Sequence, residues 1–577
     1  MHANTNRDGI NYTARGGYND LDFAALVARY GGGFQGSPEV PNSMPSGTPT
    51  PAPSNFPGYR LGKIGKRWVF VDPLGKVMLL RGLYKTSPDQ THKIGGGQQA
   101  GRTLINNIRT KYAGAGSEWD EATATRLKQF HYNSTASASR NLSGHGIPFQ
   151  RQSNSGIYAL SDVSKPVLSE RVKDVLKHGV RQNLPGQAGW AGRHLIDSFD
   201  PKFKQFIDYA WGRINPDPNT LFFQADDGDY MYAFGIGHPD EMEGYIIADS
   251  NWGPHGGVIA LIGKPNITGP VRDFRGGTQT WSVDTVNHTK RALVDYLIAK
   301  YSTIDALNAA WKTGGYYTTF ESAGGWGVGR GLLDEDGMRP RTWLGKDGAP
   351  FYQKKAGQND FFNSTRWAPN VKVDLDIFLG MMMDAYLKPF AERLQLQYPG
   401  ALFIGHTGKT SRKPVVESYG RWLHLLRAGS TSETLNAIMA KWQARDLPWV
   451  AAMYYPNNDD GCMYYVPKGD GTQAQRGASI AHNLTRQLTY RDADGTYRIL
   501  GNNFWGLYDQ PGEKIGWGIF SYNDNPYDGR DYRLSQPDPY TPGRTTLTED
   551  RVYGDALTPI KNAHIAQFTT LQTQFAR

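Results

Sequence analysis

Two short acidic stretches stand where apolar, strand-like runs end, and their spacing could support acid–base chemistry. In QADDGDY the adjacent Asp226 and Asp227 follow the run TLFF, and in GYIIADSNW Asp249 closes the run GYII. Neighbouring carboxyl groups at a strand end can raise the pKa of one of them, which makes a general acid at neutral pH. We predict these three residues as catalytic acids, although a turn, a cap or an ion pair is the commoner role of a loop aspartate.

A second chemistry needs no pair of carboxylates. Elimination from a uronic acid uses Tyr, His or Lys to move protons, and an amide or a cation to neutralise the substrate carboxylate. Residues of these types follow other apolar runs, and Tyr455 and His406 are the predicted proton carriers. For any one such residue alone, packing or an internal hydrogen bond is the simpler explanation.

Aromatic residues are abundant, with 15 Trp and 32 Tyr among 577 residues. Their flat apolar rings suit the ring faces of sugars, whose hydroxyl groups need polar partners. The predicted sugar-binding residues are therefore aromatic or polar side chains that follow apolar runs. They are Asn251, Trp252, Lys409, Tyr454, Asn502, Asn503, Trp505, Tyr508 and Asp509.

These residues need a scaffold that brings the ends of separate strands together, and the order of elements indicates one. Strand-like runs, among them RHLIDSF at 193, TLFFQADD at 220, ALFIGHTG at 401 and PWVAAMYYP at 448, alternate with helical segments. Helices are predicted at 200–214, 289–301, 304–313 and 375–398. Such repeats predict an α/β fold, a parallel sheet closed into a (β/α)8 barrel with its chemistry at the C-terminal ends of the strands. One run is in excess, so either TLFFQADD or GYIIADSN at 244 lies in an insertion.

The chain divides into three parts. Residues 1–35 form an N-terminal segment, in which DLDFAALVARYGGG predicts a helix that stops at Gly31. Residues 36–60 form a linker rich in Pro, Ser and Gly, and residues 61–577 form the barrel domain with insertions. At its start, KRWVFVDPLGKVMLLRG predicts a hairpin that leads into the first core strand, Val77–Leu83.

Charge, cysteine content and hydropathy exclude several classes of protein. The chain has 63 basic and 54 acidic residues, and the net charge of +9 without a basic block favours an acidic glycan over nucleic acid. One cysteine, Cys462, excludes an intramolecular disulfide framework. No run suits a signal peptide or a membrane span, so a secreted or periplasmic location requires that a signal peptide was removed. No metal or nucleotide motif occurs, and we predict neither a metal nor a cofactor.

Six stretches, in order along the chain, resemble motifs of β-agarase-like glycoside hydrolases, which are (β/α)8 barrels. WVFVDPLGKVMLLRG is similar to their opening motif, and HPDEMEGYIIADSNW is similar to their HPxxxGYFxDNExxW segment. The other four are DSFDPKFKQFID, YLIAKYSTIDALNAAWKT, FLGMMMDAYLKPFAERLQLQYPGALFIGH and GNNFWGLYDQPGEKIGWGIFSYNDNPYD. Together they cover most of residues 60–570, and the resemblance implies a polysaccharide-cleaving barrel.

The resemblance also implies a retaining mechanism with two glutamates, an acid/base at the end of the fourth strand and a nucleophile at the end of the seventh. The matching positions are Asn251 and Met453, and neither side chain can do this chemistry. Replacement carboxylates lie near these positions. They are Asp226, Asp227, Asp229, Asp249, Asp459 and Asp460. We predict a glycoside hydrolase that acts on a polysaccharide, with a polysaccharide lyase and a catalytically inactive glycan-binding barrel as alternatives.

Overall fold

Eight parallel strands close into a barrel and follow one another around it in chain order. Each strand pairs with the next, and the eighth returns to pair with the first. The strands are β1 Leu80–Leu83, β2 Ser134–Thr135, β3 Phe149–Gln152, β4 Thr220–Gln224, β5 Phe403–Thr407, β6 Leu425–Gly429, β7 Trp449–Met453 and β8 Ile499–Phe504. The (β/α)8 barrel predicted from the alternation of strands and helices is confirmed.

The computed structural model of the chain describes these strands, the helices around them and most of the N-terminal segment. By residue number, it covers 4–5, 10–35, 58–88, 105–106, 108–109, 111–112, 116–136, 139–152, 199, 204, 219–224, 270–272, 278–280, 288–321, 323, 330–334, 368–407, 413–429, 446–453, 472–504, 506–509, 518–521, 524–529, 536–537, 545–546 and 554–576. Most of the predicted linker at 36–60 and of the helix predicted at 200–214 lies outside these residues.

A strand that the sequence analysis did not suggest takes part in closing the barrel. β3 reads FQRQ, has a single apolar residue, and pairs with β4 up to Gln152 and Gln224. TLFFQ is β4, so this run belongs to the barrel and not to an insertion. The predicted runs at 193–199 and 244–251 lie outside the described residues, apart from Phe199.

Eight α-helices are described over their full length. They are α1 Phe23–Tyr30, α2 Ser117–Gln129, α3 His288–Tyr301, α4 Ile304–Trp311, α5 Pro369–Gln397, α6 Lys413–Trp422, α7 Gln473–Thr489 and α8 Leu557–Phe575. Three of them begin after a residue whose side chain accepts a hydrogen bond from the third helical N–H, namely Asp22, Thr303 and Thr472. α3, α4 and α5 confirm the helices predicted at 289–301, 304–313 and 375–398.

The N-terminal segment docks on the barrel domain through an antiparallel sheet. The four strands of this sheet are Gly32–Phe34, Arg60–Ile64, Arg67–Val71 and Val77–Met78. The predicted hairpin is confirmed, with its turn after Asp72, but the barrel strand begins at Leu80 rather than at Val77. α1 stops at Gly31 as predicted, where a φ of 77° favours glycine.

This sheet closes the N-terminal mouth of the barrel. Trp68 and Phe70 of the sheet share one apolar cluster with side chains from the first two residues of six barrel strands. These are Leu80, Leu221, Ile404, Leu425, Val450 and Leu500, and every member named here is at most 3% exposed. Because apolar side chains fill this end, the C-terminal mouth is the end of the barrel left for a ligand.

A buried carboxylate joins α3, α4 and α5. Asp374 accepts hydrogen bonds from Tyr296 Oη (3.1 Å), Tyr301 Oη (2.7 Å) and Trp311 Nε1 (2.7 Å), and from Lys300 Nζ. It is fully buried. Burial and the neighbouring carboxylate raise the pKa of Tyr296, so this phenol donates its proton rather than losing it. The contacts of Asp374 hold three helices together.

Short elements complete the described fold. The 3-10 turn Ser143–His145 lies between β2 and β3, and a second 3-10 turn spans Leu332–Asp334. Three two-stranded antiparallel pairs join Asn4–Thr5 to Asn11–Tyr12, Pro270–Arg272 to Thr278–Thr280, and Gln536–Pro537 to Thr545–Thr546. No described helix has both the length and the apolar character needed to cross a membrane.

Candidate active site

The apolar cluster around Trp68 and Phe70 fills the N-terminal mouth, and we call it the apolar plug. Toward the C-terminal mouth, the side chains on the inner face of the barrel change from apolar to polar. At this level β1, β2, β3 and β8 contribute Gly82, Ser134, Gln150 and Asn503, and Tyr84 adds a phenol just beyond β1. We call these five residues the polar floor. Each of its four side chains is at most 2% exposed. The polar floor lies toward the C-terminal mouth, where barrels of this class bind substrate.

Two amides hold the polar floor together by a reciprocal pair of hydrogen bonds. Gln150 Nε2 donates to Asn503 Oδ1 (2.7 Å), and Asn503 Nδ2 donates to Gln150 Oε1 (2.8 Å). Gln150 Nε2 also donates to Ser134 Oγ (3.1 Å), and Asn503 Nδ2 lies 3.3 Å from Tyr84 Oη. Leaving a buried amide unpaired costs free energy, so this pairing fixes both side chains. The result is a neutral, hydrogen-bonded base beneath the mouth.

Glycine at position 82 is what allows the amides to meet. A Cβ atom there would lie 1.8 Å from Asn503 Oδ1 and 2.5 Å from Gln150 Nε2. Both distances are far below van der Waals contact, and the obstructing atoms are the hydrogen-bonding ends of the amides themselves. Any larger residue at position 82 must therefore displace the amide pair.

A β-bulge turns Asn503 into the barrel. Gly501 has a φ of 128°, and the pairing of β8 with β7 shifts by one residue next to it. The shift places both Leu500 and Asn503 on the inner face, although strict alternation would separate them. Asn502 then lies on the outer face of β8, the face from which Phe504 packs in the outer core. The structure therefore separates the two neighbouring amides that were predicted to line one site.

Tyr508 and Asp509 lie in the loop after β8, and both side chains are buried. Tyr508 Oη donates to Asp524 Oδ1 (2.5 Å) and accepts from Trp119 Nε1 (2.9 Å), while Asp509 accepts from the hydroxyl of Tyr527. Burial, together with Asp524, raises the pKa of Tyr508 well above its ordinary value. These contacts tie the loop after β8 to α2. Contact of Tyr508 or Asp509 with a sugar stays a prediction, and it would require exchange of these partners.

The remaining predicted site residues are described only in part. His406 lies in β5, and its backbone pairs with that of Arg427 in β6. The following lie outside the described residues: Asp226, Asp227, Asp249, Asn251, Trp252, Lys409, Tyr454, Tyr455 and Trp505. Within the part of the chain that is described, no three His, Cys, Asp or Glu side chains are placed to hold a metal ion.

The ends of β4 and β7 locate the two positions that the resemblance gives to glutamates. β7 ends at Met453, the residue matched to the nucleophile. β4 ends at Gln224, so the fourth strand is TLFFQ and not GYIIADSN. TLFFQ is therefore the one of these two runs that belongs to the barrel, and the match of Asn251 to the acid/base position, which lies outside the described residues, stays a prediction. The sequence places Asp226 and Asp227 directly after the true fourth strand.

The sequence analysis missed a carboxylate at the rim near the ends of β1 and β2. Asp120 lies in the first turn of α2, and Arg140 Nε lies 2.9 Å from its Oδ1 in an ion pair. The backbone N–H of Arg140 donates to the carbonyl of Thr86, just after β1 (2.8 Å). Burial raises the pKa of Asp120, and the guanidinium of Arg140 opposes the rise. This pair joins α2 to the rim.

Ser134, Gln150 and Tyr84 were also missed. Ser134 and Gln150 lie in the two short polar strands β2 and β3, and the loop between these strands gives little periodicity. The signal that could have found them is the pair of glutamines in FQRQ directly after Pro148, since two glutamines two residues apart lie on one face of a strand.

Comparison with solved structures identifies the fold. An agarase, AgWH50C, superposes with a TM-score of 0.56 at 14% identity, over 98% of this chain and 74% of that one. An exo-β-agarase superposes with a TM-score of 0.56 at 15% identity, over 96% of this chain and 72% of that one. A protein named PfGH50B gives a TM-score of 0.55 at 12% identity, over 98% and 75%.

No protein-family pattern and no curated protein sequence matches the chain. At the identities of the structural matches, the likeness is one of fold. It confirms the architecture that the six sequence motifs implied. The chain therefore has the (β/α)8 fold of agarase-like glycoside hydrolases.

Proposed function

We propose that the chain is a glycoside hydrolase that cleaves a polysaccharide in the C-terminal mouth of its barrel. The observation that carries this proposal is the likeness in fold to an agarase and an exo-β-agarase over 96–98% of the chain. The apolar plug at the other mouth and the polar floor beneath this one support it. With a net charge of +9, the proposed substrate is an agar-type galactan or an acidic relative of it.

Asp226 and Asp227 are the proposed source of the catalytic proton. They stand two and three residues after the last residue of β4, at the strand end where the resemblance expects the proton donor. Two adjacent carboxyl groups repel each other when both are ionised, which keeps one protonated to a higher pH. Asp249 stays a third candidate acid.

The proposed sugar contacts come from the loops that follow several strands and from the run at 244. They combine stacking rings with polar side chains, as a pyranose requires. They are Asn251, Trp252, Lys409, Tyr454 and Trp505.

Met453 at the end of β7 argues against a covalent intermediate on that strand, because a thioether is no substitute for a carboxylate nucleophile. A retaining enzyme needs its two carboxyl groups about 5–5.5 Å apart, whereas an inverting enzyme places them about 6.5–9.5 Å apart to admit a water molecule. Asp459 and Asp460 follow Met453 by six and seven residues. We therefore favour hydrolysis in which one of these acids activates water.

Met453 also favours a second function, a catalytically inactive barrel that binds glycan. Loss of the strand-seven nucleophile would remove hydrolysis while leaving the rings and amides of the mouth in place. Elimination through Tyr455 and His406 is a third outcome, and it requires a uronic acid in the substrate.

The test is to incubate the full chain with agarose, a sulfated galactan, alginate and pectate, and to follow reducing ends together with the ultraviolet absorbance of an unsaturated uronate. We expect new reducing ends from a galactan without absorbance. Asp226→Asn or Asp227→Asn should reduce the rate by about 100-fold or more, since removing a general acid typically costs that much. Asp305→Asn, an exposed position in the first turn of α4, is the matched control and should be unaffected.

The other results separate the alternatives. Absorbance that rises together with reducing ends would establish a lyase, and Tyr455→Phe and His406→Gln would then be tested. No product from any polysaccharide, with binding retained, would assign the inactive glycan-binding barrel. Full activity in both the Asp226 and the Asp227 variants would remove these residues from the mechanism.

A further inference from the structure

A small crevice lies outside the barrel wall, between the N-terminal segment and the strands β1 and β2. It has a volume of about 20 Å³. A buried water needs about 10–15 Å³, so the crevice has room for one small ion or one or two waters, and not for a sugar. Its polar lining includes Tyr12, Thr13, Arg81, Lys128, His131 and Asn133.

Arg81 is buried at this crevice, and some N–H donors of its guanidinium have no acceptor among the described residues. Its side chain is 1% exposed and lies on the outer face of β1, opposite to Gly82. Nη1 donates to Tyr18 Oη at 2.8 Å and to Tyr12 Oη at 3.4 Å, and these are the hydrogen bonds of its guanidinium among the described residues. Nε is buried there without a hydrogen-bond acceptor. A buried guanidinium with unused donors needs an acceptor to balance its desolvation.

No carboxylate among the described residues forms an ion pair with Arg81. Tyr18 cannot supply the negative charge, because burial raises its pKa far above neutral pH. Asp72 stands behind the crevice lining, but its oxygens accept from Thr13 Oγ1 (2.6 Å) and from the backbone N–H groups of Leu74 and Lys76 (2.9 Å each). The rings of Tyr12 and Tyr18, 4.8 and 5.3 Å from the Arg81 guanidinium carbon, stabilise its charge in part. Within the described residues this charge has no counter-ion, which is costly for a buried ion.

The other side chains around the crevice supply hydrogen-bond donors, and none of them supplies a negative charge. Lys128 Nζ donates to the carbonyl of His145 (2.5 Å) and keeps further N–H groups. Tyr12 Oη accepts from Arg81, so its own proton can go to His131 Nδ1 at 2.9 Å. None of the residues that line the crevice is Asp or Glu.

We propose that this crevice binds a small monovalent anion of halide size, held by Arg81 with Lys128, and that the bound anion is the counter-charge of Arg81. The anion fastens the N-terminal segment to β1 and β2, because Tyr12 and Thr13 form one wall of the crevice. Its binding is independent of the proposed hydrolysis, since Arg81 and the polar floor lie on opposite faces of β1.

The test measures the thermal unfolding of the full chain in sodium bromide and in sodium gluconate at equal ionic strength, because gluconate is too large for the crevice. We expect the midpoint to rise saturably with bromide. Lys128→Met should weaken the apparent affinity by roughly tenfold, since a hydrogen bond from a charged donor contributes about that much. Lys66→Met is the matched control, because Lys66 Nζ also donates to a backbone carbonyl at 2.5 Å and lies away from the crevice lining.

The second variant for this test is Arg81→Gln. It should abolish the response to bromide and should lose less stability in gluconate than in bromide, because it removes a buried charge without a counter-ion. A crystal soaked in bromide should show anomalous scattering beside Arg81. Equal midpoints in the two salts, a bromide response unchanged by Lys128→Met, or water in the crevice of the soaked crystal would each overturn the proposal.

Discussion

At the scale of single residues, the polar floor depends on contacts between residues that are far apart in the chain. Gln150 and Asn503 are separated by 353 positions, yet each satisfies both hydrogen-bonding groups of the other. The sequence could suggest Asn503 as a polar residue after an apolar run. It could not suggest Gln150 as its partner, because no local pattern encodes a contact across the barrel.

The close approach at Gly82 makes a direct prediction about stability. Gly82→Ala places a methyl group where Asn503 Oδ1 and Gln150 Nε2 now lie, at 1.8 and 2.5 Å. We expect the free energy of unfolding to fall by about 3 kcal/mol, because overpacking and the loss of a hydrogen bond between the two side-chain amides each cost on the order of 1–3 kcal/mol. Denaturant-induced unfolding of the two proteins measures this difference.

Gly144→Ala is the matched control for this substitution. Gly144 lies in the 3-10 turn Ser143–His145, and no described heavy atom lies within 4 Å of a Cβ atom built there. Its free energy of unfolding should change by less than about 0.5 kcal/mol. Equal losses in the two variants would mean that the amide pair does not depend on the missing side chain at position 82.

At the scale of elements, the sequence predicted those with strong local signals. The helices α3, α4 and α5 and the strand β7 were found because apolar residues recur at the expected spacing over many positions. β3 was missed because its side chains include the inward-facing Gln150 and only one apolar residue. The bulge at Gly501 was missed for a similar reason, since a shift in alternation is visible only against the partner strand.

His424, between α6 and β6, makes the fold sensitive to acid. Its Nδ1 accepts the backbone N–H of Phe403 at the start of β5 (3.1 Å), and burial lowers its pKa to about 4. The unfolded chain protonates this imidazole near pH 6.5, so the stabilising contribution is complete above pH 6.5 and is lost as the pH falls toward 4. We expect the chain to lose about 3 kcal/mol of stability over this range through His424 alone.

The variant that checks this is His424→Asn, whose Oδ1 can accept the same hydrogen bond without titrating. Its free energy of unfolding, measured by denaturant between pH 7 and pH 4, should decline less steeply than that of the parent chain. Some decline should remain, because burial also lowers the pKa of His564 well below its ordinary value. Parallel curves for the two proteins would exclude His424 as a source of the acid sensitivity.

At the scale of the whole molecule, strand order and barrel closure followed from the alternation of strands and helices, while the role of the N-terminal segment did not. The sequence separated this segment from the barrel by its linker. In the structure, Tyr18 and Phe23 share a buried cluster with Val69 of the antiparallel sheet and Leu571 of α8. These residues are far apart in the chain, so the composition around each of them does not indicate that they are buried together. The segment is therefore part of the core on which the barrel rests.

This shared core predicts that the chain survives a cut in its linker. The experiment inserts a protease recognition sequence between residues 40 and 50 and cleaves it, and the two fragments should then elute together in size-exclusion chromatography. They should stay together because Gly32–Phe34 pairs with Arg60–Ile64 and Phe23 is 3% exposed. Phe23→Ser should release the N-terminal fragment, since removing a buried phenylalanine side chain costs about 3–5 kcal/mol, whereas Ala24→Ser at an exposed position of α1 should not. Separate elution of the parent fragments would show instead that the covalent linker, and not the buried cluster, holds the segment on the barrel.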